Sequence, residues 1–309
     1  MECAILFPGQ ASQFVGMGKD YYDQYREVRE LYKEANSTLG FDITDLSFAG
    51  DLDELTLTHN AQPAILLHSL AVLRVLERRG VRARLVSGHS LGEFSALVAA
   101  GCFRPMDALL IVRKRGELMY EAGLEEPGTM AAVIGLDESA VQKVVNEAAE
   151  AGIVVIANHN SPVQFAISGE VAAVDKAIEL AREHGAKRAL RLQVSGAFHS
   201  PLMEKTSGAL TTYLERFNRG RLDAPWIANV TGEVVTEEDR VVDLLSRQLS
   251  SRVLWVKSMR TLAENFKGPI VEAGPGKVLT GLMKRIVSGA SVYPLSSVEG
   301  LEALAQQAG

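Results

Sequence analysis

The segment Leu85-Val-Ser-Gly-His-Ser-Leu-Gly-Glu93 holds the sharpest arrangement of reactive residue types in the chain. It reads G-x-S-x-G as Gly88-His89-Ser90-Leu91-Gly92, directly after an apolar run and directly before a helical one. An elbow between strand and helix forces its serine into a strained, exposed position, and the flanking glycines let the two elements pack closely. The Ser90 hydroxyl would then lie at a helix N-terminus, where N–H groups stabilise negative charge, with the Leu91 N–H as the natural first oxyanion donor. That is the equipment for acyl transfer through a serine ester. The competing reading is a chance match in a chain with 27 glycines, and the strand and helix around the motif argue against it.

A serine nucleophile needs a base, which need not be near it in sequence. His89 adjoins Ser90, but neighbouring side chains on an elbow diverge, so packing is its expected role. His199 lies in Ser195-Gly-Ala-Phe-His-Ser-Pro201, where Ser200 is expected to cap a helix starting at Pro201. An imidazole just before a helix N-terminus is biased towards its neutral form, as a general base must be. From spacing alone His199 is either that base or a capping and packing histidine.

A third residue is out of place by polarity. On the helix expected over Pro105 to Ala122, Ala108, Ile111, Val112, Leu118, Met119 and Ala122 share one face, and Arg115 falls near its middle. Either the side chain snorkels or forms a structural ion pair, or it meets a substrate carboxylate through two parallel hydrogen bonds. An unpaired buried guanidinium would be strongly destabilising. An acyl group ending in a carboxylate would account for both Ser90 and Arg115.

The elements that must position these residues follow from apolar runs alternating with segments of helical period, the pattern of an α/β protein with a mainly parallel sheet. Strands are expected at Ala4 to Phe7, Leu85 to Ser87, Ile227 to Val230, Ile270 to Glu272 and Val292 to Leu295. Helices are expected at about Lys19 to Leu39, Pro63 to Arg79, Leu91 to Ala100, Pro105 to Ala122, Pro201 to Phe217, Arg240 to Leu249 and Gly276 to Ile286, with Pro63, Pro105 and Pro201 in first turns. Between Glu126 and Val194 the order becomes βαββαβ, that of a ferredoxin-like unit. The expected fold class is therefore α/β: a larger α/β-hydrolase-like domain with a parallel sheet, residues 1–125 and 196–309, and an inserted smaller ferredoxin-like subdomain, residues 126–195.

Composition excludes other classes. With 32 Lys and Arg against 38 Asp and Glu the net charge is −6, unfavourable for general nucleic-acid binding. Cys3 and Cys102 provide no disulfide framework or C-x-x-C, and six scattered histidines argue against a metal site. The stretch Leu55 to Leu73 lacks charge but carries His59, Asn60, Gln62, Pro63, His68 and Ser69, so no membrane span is expected. The N-terminus has no basic leader or cleavage site, from which a cytoplasmic location is expected. Neither Gly274-Pro-Gly-Lys277 nor Gly9 through Gly18 has a nucleotide-loop spacing.

Over essentially its whole length the chain resembles the malonyl-CoA:acyl-carrier-protein transacylases, and it looks close to the discrete, trans-acting acyltransferases of polyketide assembly lines. The resemblance is carried by Phe7-Pro-Gly-Gln-Ala-Ser-Gln13, Thr58-His-Asn-Ala-Gln-Pro-Ala64, Gly88-His-Ser-Leu-Gly-Glu93, Arg115-Gly-Glu-Leu-Met119, Asn158-His-Asn-Ser-Pro162, Gly196-Ala-Phe-His199, Asn229-Val-Thr-Gly232, Gln248-Leu249 and Glu272-Ala-Gly-Pro-Gly-Lys277. It implies Ser90 as nucleophile, His199 as base, and Gln248 as the residue whose backbone carbonyl orients the histidine in place of a carboxylate. It further implies Gln10 as the second oxyanion N–H beside Leu91, Arg115 as the malonyl clamp, and Gln62 and Asn160 as pocket-lining residues. The bulky Phe198 beside the base implies an unbranched malonyl group, although one methyl is worth only about 1–3 kcal/mol of discrimination. One position departs from the family, which usually has Gly-Gln-Gly-Ser-Gln where this chain has Gly9-Gln-Ala-Ser-Gln13. If position 11 needs positive φ, Ala11 strains the loop by about 1 kcal/mol.

The resemblance implies a ping-pong reaction in fatty acid or polyketide biosynthesis: malonyl-CoA acylates Ser90, and the phosphopantetheine thiol of an acyl carrier protein takes the malonyl group. No cofactor is expected beyond the coenzyme A thioester substrate, and a monomer is expected. Carrier proteins are acidic, so docking needs a local basic patch, for which Arg78, Arg79, Arg82 and Arg84, or Lys187, Arg188 and Arg191, or Lys284 and Arg285 are candidates against a default of solvated charge. The alternatives are an acyl hydrolase clearing carrier proteins, which would have no use for Arg115, and a non-catalytic carrier-binding scaffold, which would not need Ser90 on an elbow.

Overall fold

The computed structural model describes residues Met1 to Ala308. Ten strands, β1 (Glu2–Phe7), β2 (Arg82–Gly88), β3 (Gly128–Ile134), β4 (Val154–Ser161), β5 (Gln164–Glu170), β6 (Arg188–Arg191), β7 (Trp226–Ile227), β8 (Val234–Val235), β9 (Ile270–Glu272) and β10 (Val292–Pro294), form two sheets among the described residues. The larger has the order β10-β9-β1-β2-β7-β8. Its first five strands run parallel, and their apolar residues are buried on both faces, as helix-covered parallel strands require. The edge strand β8 pairs antiparallel with β7, an addition that the sequence pattern did not indicate.

The smaller sheet is antiparallel with the order β4-β5-β3-β6 and is backed by the helices Glu138–Ala148 and Val171–Glu183. Their apolar faces, Val141, Val144, Val145 and Ala148 on one and Val174, Ala177, Ile178 and Ala181 on the other, close a core of its own. This is the ferredoxin-like unit expected from the βαββαβ order. It joins the body at β4, where the His159 N–H donates to Val253 O at 3.0 Å and the Val253 N–H to Ala157 O at 2.8 Å.

Several element boundaries differ from the sequence reading. The single helix expected over Lys19 to Leu39 is two, Lys19–Gln24 and Arg26–Leu39, broken at an extended Tyr25; Arg29 takes up the freed carbonyls of Tyr22 and Asp23. Pro63 is not in a first turn. The helix starts at Thr58, and Pro63 lies inside it. The carbonyl that proline leaves without its helical donor is that of His59, and Arg113 Nη1 donates to it at 2.9 Å. Pro201 opens a short 3₁₀ turn, Pro201–Met203, before the helix Glu204–Leu214, and the Ser200 hydroxyl donates back to Ala197 O at 2.6 Å instead of capping that turn. The helices Ile43–Phe48, Leu52–Thr56, Trp255–Asn265 and Val298–Ala308 are additional.

Candidate active site

The elbow is built by close packing at its glycines. A Cβ on Gly88 would lie 1.9 Å from the carbonyl carbon of Gly92, and one on Gly92 would lie 2.1 Å from Phe7 O, so neither position admits a side chain. Between them Ser90 is driven to φ 51°, a left-handed conformation costing about 1–2 kcal/mol. The non-glycine residues with positive φ among those described are Ala11, Ser90 and His199: the last two are the expected nucleophile and base, and Ala11 directly follows Gln10. Ala11 adopts φ 73°, so the loop does require positive φ at the position where this chain departs from the family.

Ser90 and His199 meet across 109 residues of chain, with the Ser90 hydroxyl 2.8 Å from His199 Nε2. Nδ1 of the same ring lies 2.8 Å from Gln248 O. A carbonyl only accepts, so Nδ1 carries the ring proton and Nε2 offers its lone pair to the serine. Burial, and next the positive charge of Arg115, depress the His199 pKa to about 3, opposed by the Gln248 carbonyl. The imidazole is thus held neutral, chiefly by desolvation and not by the helix N-terminus invoked from the sequence.

Arg115 is 1% exposed on the helix Pro105–Glu125. Its neighbour Gly116 lets this helix touch Thr58–Arg78 closely, since a Cβ there would be 2.5 Å from His59 Cα. That approach puts Arg115 Nη1 2.7 Å from Gln62 Oε1, while Nη2 donates to Gln248 Oε1 at 2.8 Å and to the Ser90 hydroxyl at 3.1 Å. Burial lowers its pKa to about 9, with Glu93 opposing the shift, so the group is cationic at neutral pH. Arg115 Nε is buried without a partner. A cation beside the serine, held by amide oxygens and no carboxylate, is equipped to receive an anion.

The first loop docks on the elbow. A Cβ on Gly9 would be 2.4 Å from His89 O, which sets Gln10 beside the nucleophile turn, and Gln10 Oε1 accepts from the Thr58 hydroxyl at 2.9 Å. Neither the Gln10 nor the Leu91 backbone N–H has a hydrogen-bond acceptor among the described residues. Gln62 Nε2 also donates to Thr58 Oγ1 at 2.9 Å. Asn160 reaches the elbow from the small subdomain, but its Oδ1 contacts His89 Nε2 at 2.8 Å. His89 is therefore a half-buried connector between the two parts, stacked edge-on to Trp255. Phe198 is buried beside His199.

Two residues at the site were quoted from the sequence without a role. Asn229, after β7, accepts the Ser90 N–H at 2.7 Å and donates to Gly88 O at 2.7 Å, thereby fixing the elbow. Glu93, in the first turn of the helix Gly92–Ala99, is buried and accepts from the Asn229 N–H at 2.7 Å and from Gln248 Nε2. Burial pushes its carboxyl above the usual range, against the pull of those donors and of Arg115. Nothing local marks either residue, because their partners are more than 130 positions away.

The arrangement is that of a serine enzyme with a backbone-oriented histidine in place of a full triad, the class of fold and site that works through an acyl-serine. Residues 5–299 match the family of the acyl transferase domain, and the chain belongs to that family. It is 44% identical over 300 residues, 97% of this chain and 95% of the relative, to a malonyl CoA-acyl carrier protein transacylase of Bacillus subtilis. To the enzyme of the same description from Escherichia coli K12 it is 41% identical, with 97% of each chain covered. Among solved structures it is similar to an acyl-carrier-protein S-malonyltransferase from Bartonella henselae (TM-score 0.95, 41% identity, 99% of both chains). It is also similar to a malonyl-transacylase in complex with its type II PKS acyl-carrier protein (TM-score 0.96, 38% identity, 99% of this chain and 100% of that one).

Proposed function

We propose that this chain transfers a malonyl group from malonyl-CoA to the phosphopantetheine thiol of an acyl carrier protein, through a malonyl ester of Ser90. The observation that carries the reading is the cation next to the nucleophile: Arg115 Nη2 lies 3.1 Å from the Ser90 hydroxyl. An acyl group on Ser90 with a carboxylate at its far end would bring that anion to the guanidinium. The relatives described as malonyl transacylases, and the related enzyme solved with its carrier protein, support the same substrates.

In this scheme His199 Nε2 takes the Ser90 proton as Oγ attacks the thioester carbonyl, and the Leu91 and Gln10 N–H groups stabilise the oxyanion. The thiolate leaves with a proton from His199. The carrier's thiol then attacks the malonyl ester, His199 accepting its proton, and Ser90 is regenerated. No cofactor enters either half-reaction. The basic groups at the carrier's approach sort by geometry. Arg82 and Arg84 lie at the opposite end of β2 from Ser90, about 20 Å away by strand rise. Arg78, Arg79 and Arg84 pair with Glu27, Glu302 and Glu2, and Arg191 pairs with Asp175. Lys284 and Arg285, like Lys187 and Arg188, have no ion-pair partner among the described residues, and Arg285 donates to Gln164 of the small subdomain, so that this last group spans both parts. We assign the docking contribution to this last group.

Intact mass after incubation with malonyl-CoA tests the reading. A malonyl adduct is expected on the wild-type chain, absent in Ser90→Ala and discharged by added holo carrier protein. Steady release of free malonate without a carrier would establish a hydrolase instead.

A further inference from the structure

Glu93 has no part in the reaction as written, yet it is a 1% exposed acid in the first turn of the elbow helix. A carboxyl group in such a place requires partners. Its two oxygens accept from the Asn229 N–H and the Gln248 side-chain amide, and among the described residues no Lys or Arg lies within ion-pair distance of it.

Gln248 makes the arrangement informative. Its backbone carbonyl holds His199 Nδ1. Its side-chain Oε1 accepts from Arg115 Nη2 at 2.8 Å, and its Nε2 donates to Ser90 O at 2.8 Å and to Glu93. A side-chain amide can turn over, exchanging oxygen for nitrogen. The orientation that offers oxygen to Arg115 is favoured because the other end faces acceptors only. We propose that Glu93 is a positioning residue which fixes the orientation of the Gln248 amide and so keeps Arg115 aimed at the carboxylate of the acyl group. Arg115, Gln248 and Glu93 form a hydrogen-bonded chain from buried cation to buried carboxyl group across one amide. The inference rests on Arg115 being the clamp.

Glu93→Gln keeps the size but turns one acceptor into a donor. The introduced NH2 meets either the Asn229 N–H or the Gln248 NH2. Relief by turning Gln248 over would point an NH2 at Arg115. Initial rates of Ser90 acylation by malonyl-CoA and by acetyl-CoA, with thermal unfolding as a check on folding, read the effect. The expected result is about a tenfold loss of malonyl-over-acetyl preference, carried by KM for malonyl-CoA, with acetyl loading nearly unchanged.

Wild-type preference in Glu93→Gln, or equal loss of malonyl and acetyl loading, would overturn the proposal. Should Glu93→Gln not fold, Gln248→Met, which retains the backbone carbonyl, must lose the preference instead, and its retention overturns the proposal equally. Arg115→Ala run in parallel separates the two readings. If it keeps malonyl preference the clamp itself is wrong and the proposal falls with it; if it loses the preference while Glu93→Gln retains it, the proposal alone fails.

Discussion

A single interatomic contact decides how His199 behaves: the Gln248 carbonyl at Nδ1 commits the ring to the tautomer that can deprotonate Ser90. Burial and Arg115 then remove the titration expected of a free imidazole, for which protonation would begin to shut off a base below about pH 6.5. With the His199 pKa near 3, kcat/KM for malonyl-CoA is expected to stay level from pH 7 down to pH 5, since kcat/KM reports groups of the free enzyme. A fall with its midpoint near the ordinary histidine value would show that the ring is solvated. At this scale Ser90, Leu91 and the two glycines were legible in advance because their requirements are local. His199 was legible only as one of two readings, and its partner Gln248 only through family resemblance.

Among elements, the loop Pro8 to Gln13 shows what a local departure costs. The loop is tied by Ser12 Oγ to Gly9 O at 2.7 Å and by the Ala11 N–H to Gln13 Oε1 at 2.8 Å, which leaves Ala11 no alternative to φ 73°. Relief of that strain outweighs the extra chain entropy of glycine, so Ala11→Gly should stabilise the protein by about 0.5–1 kcal/mol, read as a higher urea midpoint at unchanged slope. A lower midpoint would mean that the loop carries no strain. Helix positions were readable from period, but helix ends were less so. Tyr25 breaks a continuous pattern, and Pro63 sits mid-helix because Arg113, 50 positions on, supplies the missing donor. A proline rule applied to one segment cannot include a donor brought from another helix.

The whole molecule buries more titratable groups than its chemistry uses. His68 is fully buried with both ring nitrogens unpartnered, and desolvation lowers its pKa to about 3. The unfolded chain protonates this ring first as pH falls through about 6.5, so its contribution to stability is present above that value and is lost progressively towards pH 3. Between pH 6.5 and 5.5 the wild type should therefore lose about 1 kcal/mol more than His68→Leu in urea unfolding. Parallel losses would exclude the buried ring as a source. No described helix is long and apolar enough to cross a membrane, and the uncharged stretch Leu55 to Leu73 lies in two helices of the body. By itself the sequence determined the alternation of strands and helices, the βαββαβ insertion and the nucleophile elbow, because each depends on residues within a few positions of one another. Tertiary structure decided what Arg115, Gln248, Asn229 and Glu93 do. They act through hydrogen bonds that close over 25 to 158 residues, and such partners are chosen by packing, which no local pattern encodes.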